Sequence, residues 1–245
     1  MRAKPTKFPT VAVDNFFSDP DAVRDYALSL SLYPTTGHYP GKRSLNLVDA
    51  NKLFSEELLR KIFSIYWEDP EKITYSECTL HFQLIPSFSE TKTDYRNNGW
   101  IHQDSVFNRN KLAGVIYLTP DADLDSGTSI YRIKKDSEEI NWGDKYSEIK
   151  SSVFKQESLD LEKEKAIMDE WNGCFETVTR VNNVYNRIIA FDGNEFHAAT
   201  NYYNAEQERL TIVYFIENVK GATMPKARVV KDNLTEIINA PTETT

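Results

Sequence analysis

Residues 209–217 read Arg-Leu-Thr-Ile-Val-Tyr-Phe-Ile-Glu, and this run decides the fold. Side chains alternate across a strand, so Arg209, Thr211, Val213 and Phe215 share one face and Leu210, Ile212, Tyr214 and Ile216 the other. Past its first three residues both faces are apolar, β-branched or aromatic. That is the pattern of a strand covered on both sides inside a sandwich. Arg209 stands against it, because burying an unpaired guanidinium is costly. A structural Asp or Glu could pair with it, or Arg209 could flank the strand at the surface. The third reading is a ligand carboxylate held by the guanidinium fork and the Thr211 hydroxyl.

Working outward, residues 78–85, 112–118 and 186–191 are further short runs of strand character. Tyr117 faces the same way as Val115 on the second of these. Its phenol could add a hydrogen bond to the same carboxylate, although a buried tyrosine bonded to a backbone carbonyl is the commoner state. The first seventy residues read as helical. Asp19-Pro20 suits a helix start, residues 51–67 carry an amphipathic pattern, and Asp69-Pro70 closes it. The polar, aromatic loop 33–43 suits a pocket rim. Helices followed by many short strands predict a mainly β fold, a sandwich or jelly roll backed by helices. We expect one domain over 1–221. It comprises helical support at 1–72 and a core at 74–218, interrupted by an insertion at about 134–176 with one helix-like run, 158–171. Residues 222–245 form a polar tail.

Composition sets bounds. With 245 residues, 40% hydrophobic, the chain can bury a core. A net charge of -8 argues against nucleic acid as the main partner. Cys78 and Cys174 are far apart with no C-x-x-C, which predicts free thiols and a reducing, cytoplasmic setting. No stretch approaches the roughly 18 apolar residues of a membrane span, so no membrane partner is expected.

The chemistry-bearing residues are His102, Asp104 and His197. His102-Gln103-Asp104 puts an imidazole and a carboxylate on one side of an extended segment. His197 follows the apolar run 187–191 and an Asp-Gly turn. Two imidazoles and a carboxylate can hold iron(II) on one face and leave the opposite positions open. An exposed His and Asp in a polar loop is the bland reading of the tripeptide alone. His38 reads as a rim or surface residue, and His81 as a satisfied strand histidine or a support to the site.

The stretch Trp100-Ile-His-Gln-Asp104, followed by GVIYLT and DLDSGTSIY, resembles the iron(II)- and 2-oxoglutarate-dependent dioxygenases, especially their prolyl-hydroxylase-like branch. NRIIAFDGNEFHAAT and ERLTIVYFIE are similar to that family's distal-histidine segment and its R-x-S/T strand. VAVDNFFSDPDAVRDYA is similar to its leading helix. The resemblance implies a double-stranded β-helix (jelly-roll) core. It also implies His102, Asp104 and His197 as iron ligands, and Arg209, Thr211 and Tyr117 as contacts to 2-oxoglutarate. A further co-substrate contact stays open among His81, Gln83 and Ile85. The implied reaction consumes 2-oxoglutarate and O2, hydroxylates a peptide side chain or small metabolite, and releases succinate and CO2. Two departures are Ser126-Gly127-Thr128 in place of a Gly-Gly turn, and the long insertion after Ile133.

Competing patterns fall short. Asp121-x-Asp123-x-Asp125 begins like a calcium loop, but Ser126 stands where glycine is needed and Arg132 where the bidentate Glu belongs, which leaves a solvated acidic turn. Nucleic-acid repair members carry a second arginine six residues after the first, where this chain has Phe215. A cupin without 2-oxoglutarate would not need Arg209 with Thr211. A non-catalytic jelly-roll binding module is the remaining alternative.

Overall fold

A computed structural model describes residues 8–36, 38–104, 111–137, 144–157, 160–205, 207–221, 223 and 225. Two antiparallel sheets form the core. The larger has strand order β1-β8-β5-β10-β4-β3-β2 and the smaller β7-β6-β9. In chain order these are β1 (Val11–Val13), β2 (Tyr33–Pro34), β3 (Lys42–Arg43), β4 (Glu77–Ile85), β5 (Lys111–Tyr117), β6 (Thr128–Ile133), β7 (Phe175–Val181), β8 (Ile188–Asp192), β9 (Phe196–Ala199) and β10 (Arg209–Glu217). The protein is mainly β, with the jelly-roll architecture expected from the sequence.

The opening run lies at the centre. β10 is flanked by β4 and β5, with Thr211 opposite Gln83 on one side and Tyr117 on the other. Its two apolar faces bury against different partners. Leu210, Ile212, Tyr214 and Ile216 join one core cluster with Leu58, Leu59, Ile62 and Tyr66. On the opposite face Tyr117, Ala113, Ile189 and Phe191 meet Ile130 and Val181 of the smaller sheet. Each such side chain, fully buried, contributes about 1.5–3 kcal/mol. Gly114 is required for this packing, because a Cβ there would lie 2.2 Å from the Tyr214 hydroxyl and from the Ile189 carbonyl oxygen.

Helices cover the outer face. α1 (Pro20–Ser29) starts where predicted, with the Asp19 carboxylate accepting from the Ala22 N–H. A short α2 (Leu47–Ala50) precedes α3 (Lys52–Phe63), whose cap is Asn51. The N-terminal support is less helical than expected. β1 adds to one edge of the large sheet through β8, and the β2–β3 hairpin adds to the other through β4.

The insertion holds two helices, α4 (Asp144–Lys155) and α5 (Leu161–Gly173), rather than the single predicted run. Both dock on the smaller sheet. Val153, Phe154, Ile167, Met168 and Trp171 form one apolar cluster with Trp100, Ile101 and Ala198. The Trp100 and Trp171 rings stack at 5.4 Å and 14°, and the Trp171 Nε1–H donates to the Ile101 carbonyl at 2.8 Å. The predicted tail 222–245 lies outside the described residues apart from 223 and 225. Cys78 and Cys174 are both unpaired. Among the described residues no helix is long and apolar enough to cross a membrane.

Candidate metal centre

His102 and His197 are brought together by the backbone. An antiparallel bridge joins them, with N–H···O contacts of 3.0 and 2.8 Å, so the segment bearing His102 extends the small sheet beyond β9. Their rings then lie 4.5 Å apart. Asp104 is tied in by its N–H to the Gly193 carbonyl at 2.9 Å, within the Asp-Gly turn that leads to β9. Ligand atoms of the three side chains fall within 4.8 Å of one another.

The hydrogen bonds fix which atoms face inward. Nδ1 of His102 lies 2.7 Å from the Trp100 carbonyl, and Nδ1 of His197 lies 2.9 Å from the Glu195 carbonyl. A carbonyl only accepts, so in the neutral imidazoles each Nδ1 carries the proton and each Nε2 presents a lone pair. Those nitrogens sit 3.6 Å (His102) and 3.2 Å (His197) from the Asp104 carboxylate oxygens. Asp104 Oδ2 is buried and accepts no hydrogen bond. Lone pairs converging on a buried space repel unless a cation lies among them. A proton can serve there, and so can a divalent metal ion; the donor set of two imidazole nitrogens and one carboxylate fits such an ion.

The proton equilibria show the same tension. Burial pushes the Asp104 carboxyl up, but the His197 and His102 imidazoles together hold it well below the ordinary carboxylate range. Burial also lowers both imidazoles. His197 nevertheless ends above its usual value because of Asp104, whereas His102 is pushed down to about 4, with Lys150 and His197 adding to the effect of burial.

Arg209 is only 3% exposed, yet no carboxylate lies within ion-pair distance of it among the described residues. Its Nε donates to the Ser126 carbonyl at 2.8 Å and its guanidinium lies 5.5 Å from the Tyr117 ring centroid. Arg209 is therefore not at the surface, and it has no carboxylate partner among the described residues. The guanidinium lines a cavity of about 400 Å³ that also holds His102, Asp104 and His197. That volume is within the usual range for small-molecule sites.

Tyr117 and Thr211 are buried beside Arg209 but do not line the cavity. The Tyr117 hydroxyl donates to Thr128 Oγ1 at 2.8 Å, and Thr211 Oγ1 lies 3.5 Å from the Gln83 carbonyl. Thr128 does line it. Of the three open candidates on β4, Gln83 and Ile85 reach the cavity wall and His81 does not. His81 Nδ1 is bonded to the Ser44 carbonyl at 2.9 Å, the satisfied strand histidine of the sequence reading. His38 sits on the rim.

Three cationic residues of the cavity were missed in the sequence. Arg43 comes from β3, Lys111 from β5 and Lys150 from α4. The loop 33–43 had signalled a rim by composition, but two-residue strands leave no periodicity to say which side chain turns inward. The calcium-like acidic turn is not merely solvated, since Lys92 Nζ lies 2.7 Å from Asp123 and 3.0 Å from Asp125.

The chain is similar to several solved structures. EvdO2 from Micromonospora carbonacea var. aurantiaca, complexed with 2-oxoglutarate, is 12% identical over 90% of this chain and 91% of its own, with a TM-score of 0.50. A prolyl-4-hydroxylase from Pseudomonas putida is 14% identical over 86% and 93%, with a TM-score of 0.43. HygX from Streptomyces hygroscopicus, with nickel and 2-oxoglutarate bound, is 11% identical over 86% and 84%, with a TM-score of 0.46. At 12% identity the likeness to EvdO2 is one of fold, and the fold is the one the sequence resemblance implied. No curated protein matches the chain by sequence. A family model matches residues 1–216, and the chain belongs to that family, described as a family of unknown function (DUF6445).

Proposed function

We propose that the protein is a non-haem iron(II)- and 2-oxoglutarate-dependent dioxygenase that hydroxylates a peptide side chain or a small metabolite. The observation that carries this reading is the pairing of two unmet demands in one cavity. One is the convergence of His102 Nε2, His197 Nε2 and the unpartnered Asp104 Oδ2. The other is the buried Arg209 guanidinium without a counter-charge among the described residues. A divalent ion answers the first and a dicarboxylate the second.

His102, Asp104 and His197 would hold the ion, and the carbonyls of Trp100 and Glu195 keep both imidazoles in the metal-binding tautomer. When bound, iron(II) supplies oxygen activation coupled to the decarboxylation of 2-oxoglutarate to succinate and CO2. Arg209 would pair with the distal carboxylate of the co-substrate. Thr128 is the hydroxyl on the cavity side, positioned by the Tyr117 phenol. Thr211 supports the wall behind it. The two free thiols suit a cytoplasmic setting.

The test is an anaerobic titration of the metal-free protein with iron(II) and 2-oxoglutarate, following the weak visible charge-transfer band of the chelate. The band is expected to saturate in the wild type and to vanish in Asp104→Ala. Arg209→Ala should need about tenfold or more additional co-substrate, in line with the loss of a charge-assisted contact. A folded wild-type protein that develops no band refutes the reading and leaves a jelly-roll binding module.

A further inference from the structure

Resting on that reading of the metal centre, we infer that the substrate carries an anionic group, a carboxylate or a phosphate, seated on Arg43 with Lys150 as a second cation. Charge accounting within the cavity leads there. The two positive charges of the ion and the one of Arg209 are balanced by Asp104 and a dianionic co-substrate. Lys111 is neutralised by Glu217 at 3.0 Å, and Glu77 lies at the exposed end of the cavity. Arg43 and Lys150 remain. Neither has a carboxylate within ion-pair distance among the described residues.

Arg43 is held as a binding group is held. Its Nη2 donates to Gln83 Oε1 at 3.1 Å, and Gln83 Nε2 donates in turn to the Pro40 carbonyl at 2.7 Å. Both ends of the Gln83 amide are therefore spent on fixing Arg43 and its hairpin. The guanidinium carbon lies 4.1 Å from the Tyr39 ring centroid and 5.9 Å from that of Phe215. Nε is buried and has no hydrogen-bond partner. A surface arginine would turn that N–H to water. Here a fork-shaped donor is oriented, half-buried at the cavity wall and left with capacity for an acceptor, which is the geometry that favours carboxylate or phosphate. Burial pushes the guanidinium down to about 10, so it stays charged at neutral pH.

Lys150 comes from the insertion and Arg43 from the N-terminal hairpin, so both cations come from outside the stretches that carry the family resemblance. The co-substrate does not require them, because both of its carboxylates are already assigned to the ion and Arg209. An anionic substrate does.

The experiment uses the anaerobic protein loaded with iron(II) and saturated with 2-oxoglutarate, and measures probe binding by equilibrium dialysis. The probes are benzoate and phenyl phosphate, with benzamide and benzyl alcohol as neutral counterparts. At least one anion is expected to bind about tenfold or more tightly than its neutral counterpart, as a charge-assisted contact predicts. Arg43→Gln should lose that preference, and Lys150→Gln should reduce it. Arg43→Lys, which keeps the charge, should retain part of it and covers the case in which Arg43→Gln folds poorly. Half-saturation of the charge-transfer band by 2-oxoglutarate should stay within about twofold in all three variants. The inference is overturned if no anion binds, if the neutral probes bind as well, or if the preference survives Arg43→Gln. It is also overturned if Arg43→Gln instead weakens 2-oxoglutarate, which would make Arg43 a co-substrate contact. Absence of the band in the wild type sinks the iron reading itself, and that readout is separate from probe binding.

Discussion

Replacing Arg209 with methionine should stabilise the ligand-free protein while removing its response to 2-oxoglutarate. The guanidinium is 3% exposed and lacks a carboxylate partner among the described residues, so in the ligand-free state the fold carries a buried, uncompensated charge. The effective cost of such a charge is several kcal/mol after relaxation. Methionine fills similar space without the charge. Against this gain stands the bond from Arg209 Nε to the Ser126 carbonyl at 2.8 Å, whose loss leaves a buried acceptor unmet at about 1–3 kcal/mol. The contact with the Tyr117 ring at 5.5 Å adds roughly 0.5–2 kcal/mol to the cost. The charge is the larger effect, and the net gain is about 1–2 kcal/mol. For a chain of this size that is a rise in Tm of about 2–8 °C. Differential scanning calorimetry of both proteins, with and without 2-oxoglutarate in the presence of the metal, reads both effects. Co-substrate at a hundred times its dissociation constant should add about 2.7 kcal/mol to the wild type and far less to the variant. If Arg209→Met instead destabilises the ligand-free protein by several kcal/mol, the guanidinium is a structural element and the argument fails.

Metal affinity should depend on pH with a definite sign. In the metal-free protein burial lowers His197, but Asp104 at 3.2 Å raises it by more. A raised folded pKa means that the proton contributes stability fully present below about 6.5 and lost as pH rises through the folded value. Because the metal must displace that proton, affinity should fall about tenfold per pH unit below the His197 pKa. His102, pushed down to about 4, adds no second proton near neutrality. Titrations between pH 5.5 and 8 check this, and a slope near two would contradict the assignment. Trp171→Phe keeps the stack on Trp100 but loses the bond to the Ile101 carbonyl, next to His102. It should lower stability by about 0.5–1.5 kcal/mol and weaken metal binding several-fold, measured by thermal denaturation and titration. Metal affinity unchanged from the wild type would show that the insertion does not steady the His102 segment.

The parts of the molecule that were legible in the sequence are those with long periodic patterns or chemically restrictive groups. β4, β5, β8 and β10 each offer five or more residues of regular character, and all four stand where the pattern put them, within two residues at each end. His102, Asp104 and His197 do meet, and Arg209 does turn inward. What stayed hidden has a physical reason in each case. β1, β2 and β3 are two or three residues long and exist only because a sheet edge offers them partners. β7 is exposed at five of its seven positions, so its sequence shows no buried face to detect. Arg43 depends on Gln83, forty positions away, for its orientation. Tyr117 and Thr211 share the predicted face yet do not line the cavity, where Arg209 and Thr128, the latter bonded to the Tyr117 hydroxyl, form the wall. Alternation along a strand gives direction, not depth.

The position of β10 has a consequence for how the chain acquires its structure. It lies between β4 and β5, yet it is the last strand among the described residues. As the protein is synthesised, β4 can pair with the short β3 and β5 later with β8, but the edges of β4 and β5 that face each other stay unjoined until β10 arrives. The pairing of distant segments is slow, and unpaired strands are open to aggregation meanwhile. His197 and its own three-stranded sheet emerge before β10, but the large sheet on which that smaller sheet packs cannot close until residues 209–217 arrive. Capture of the ion is thus expected to follow the arrival of residues 209–217. Protection of the nascent β4 and β5 edges, rather than the supply of metal, should limit the yield of folded protein.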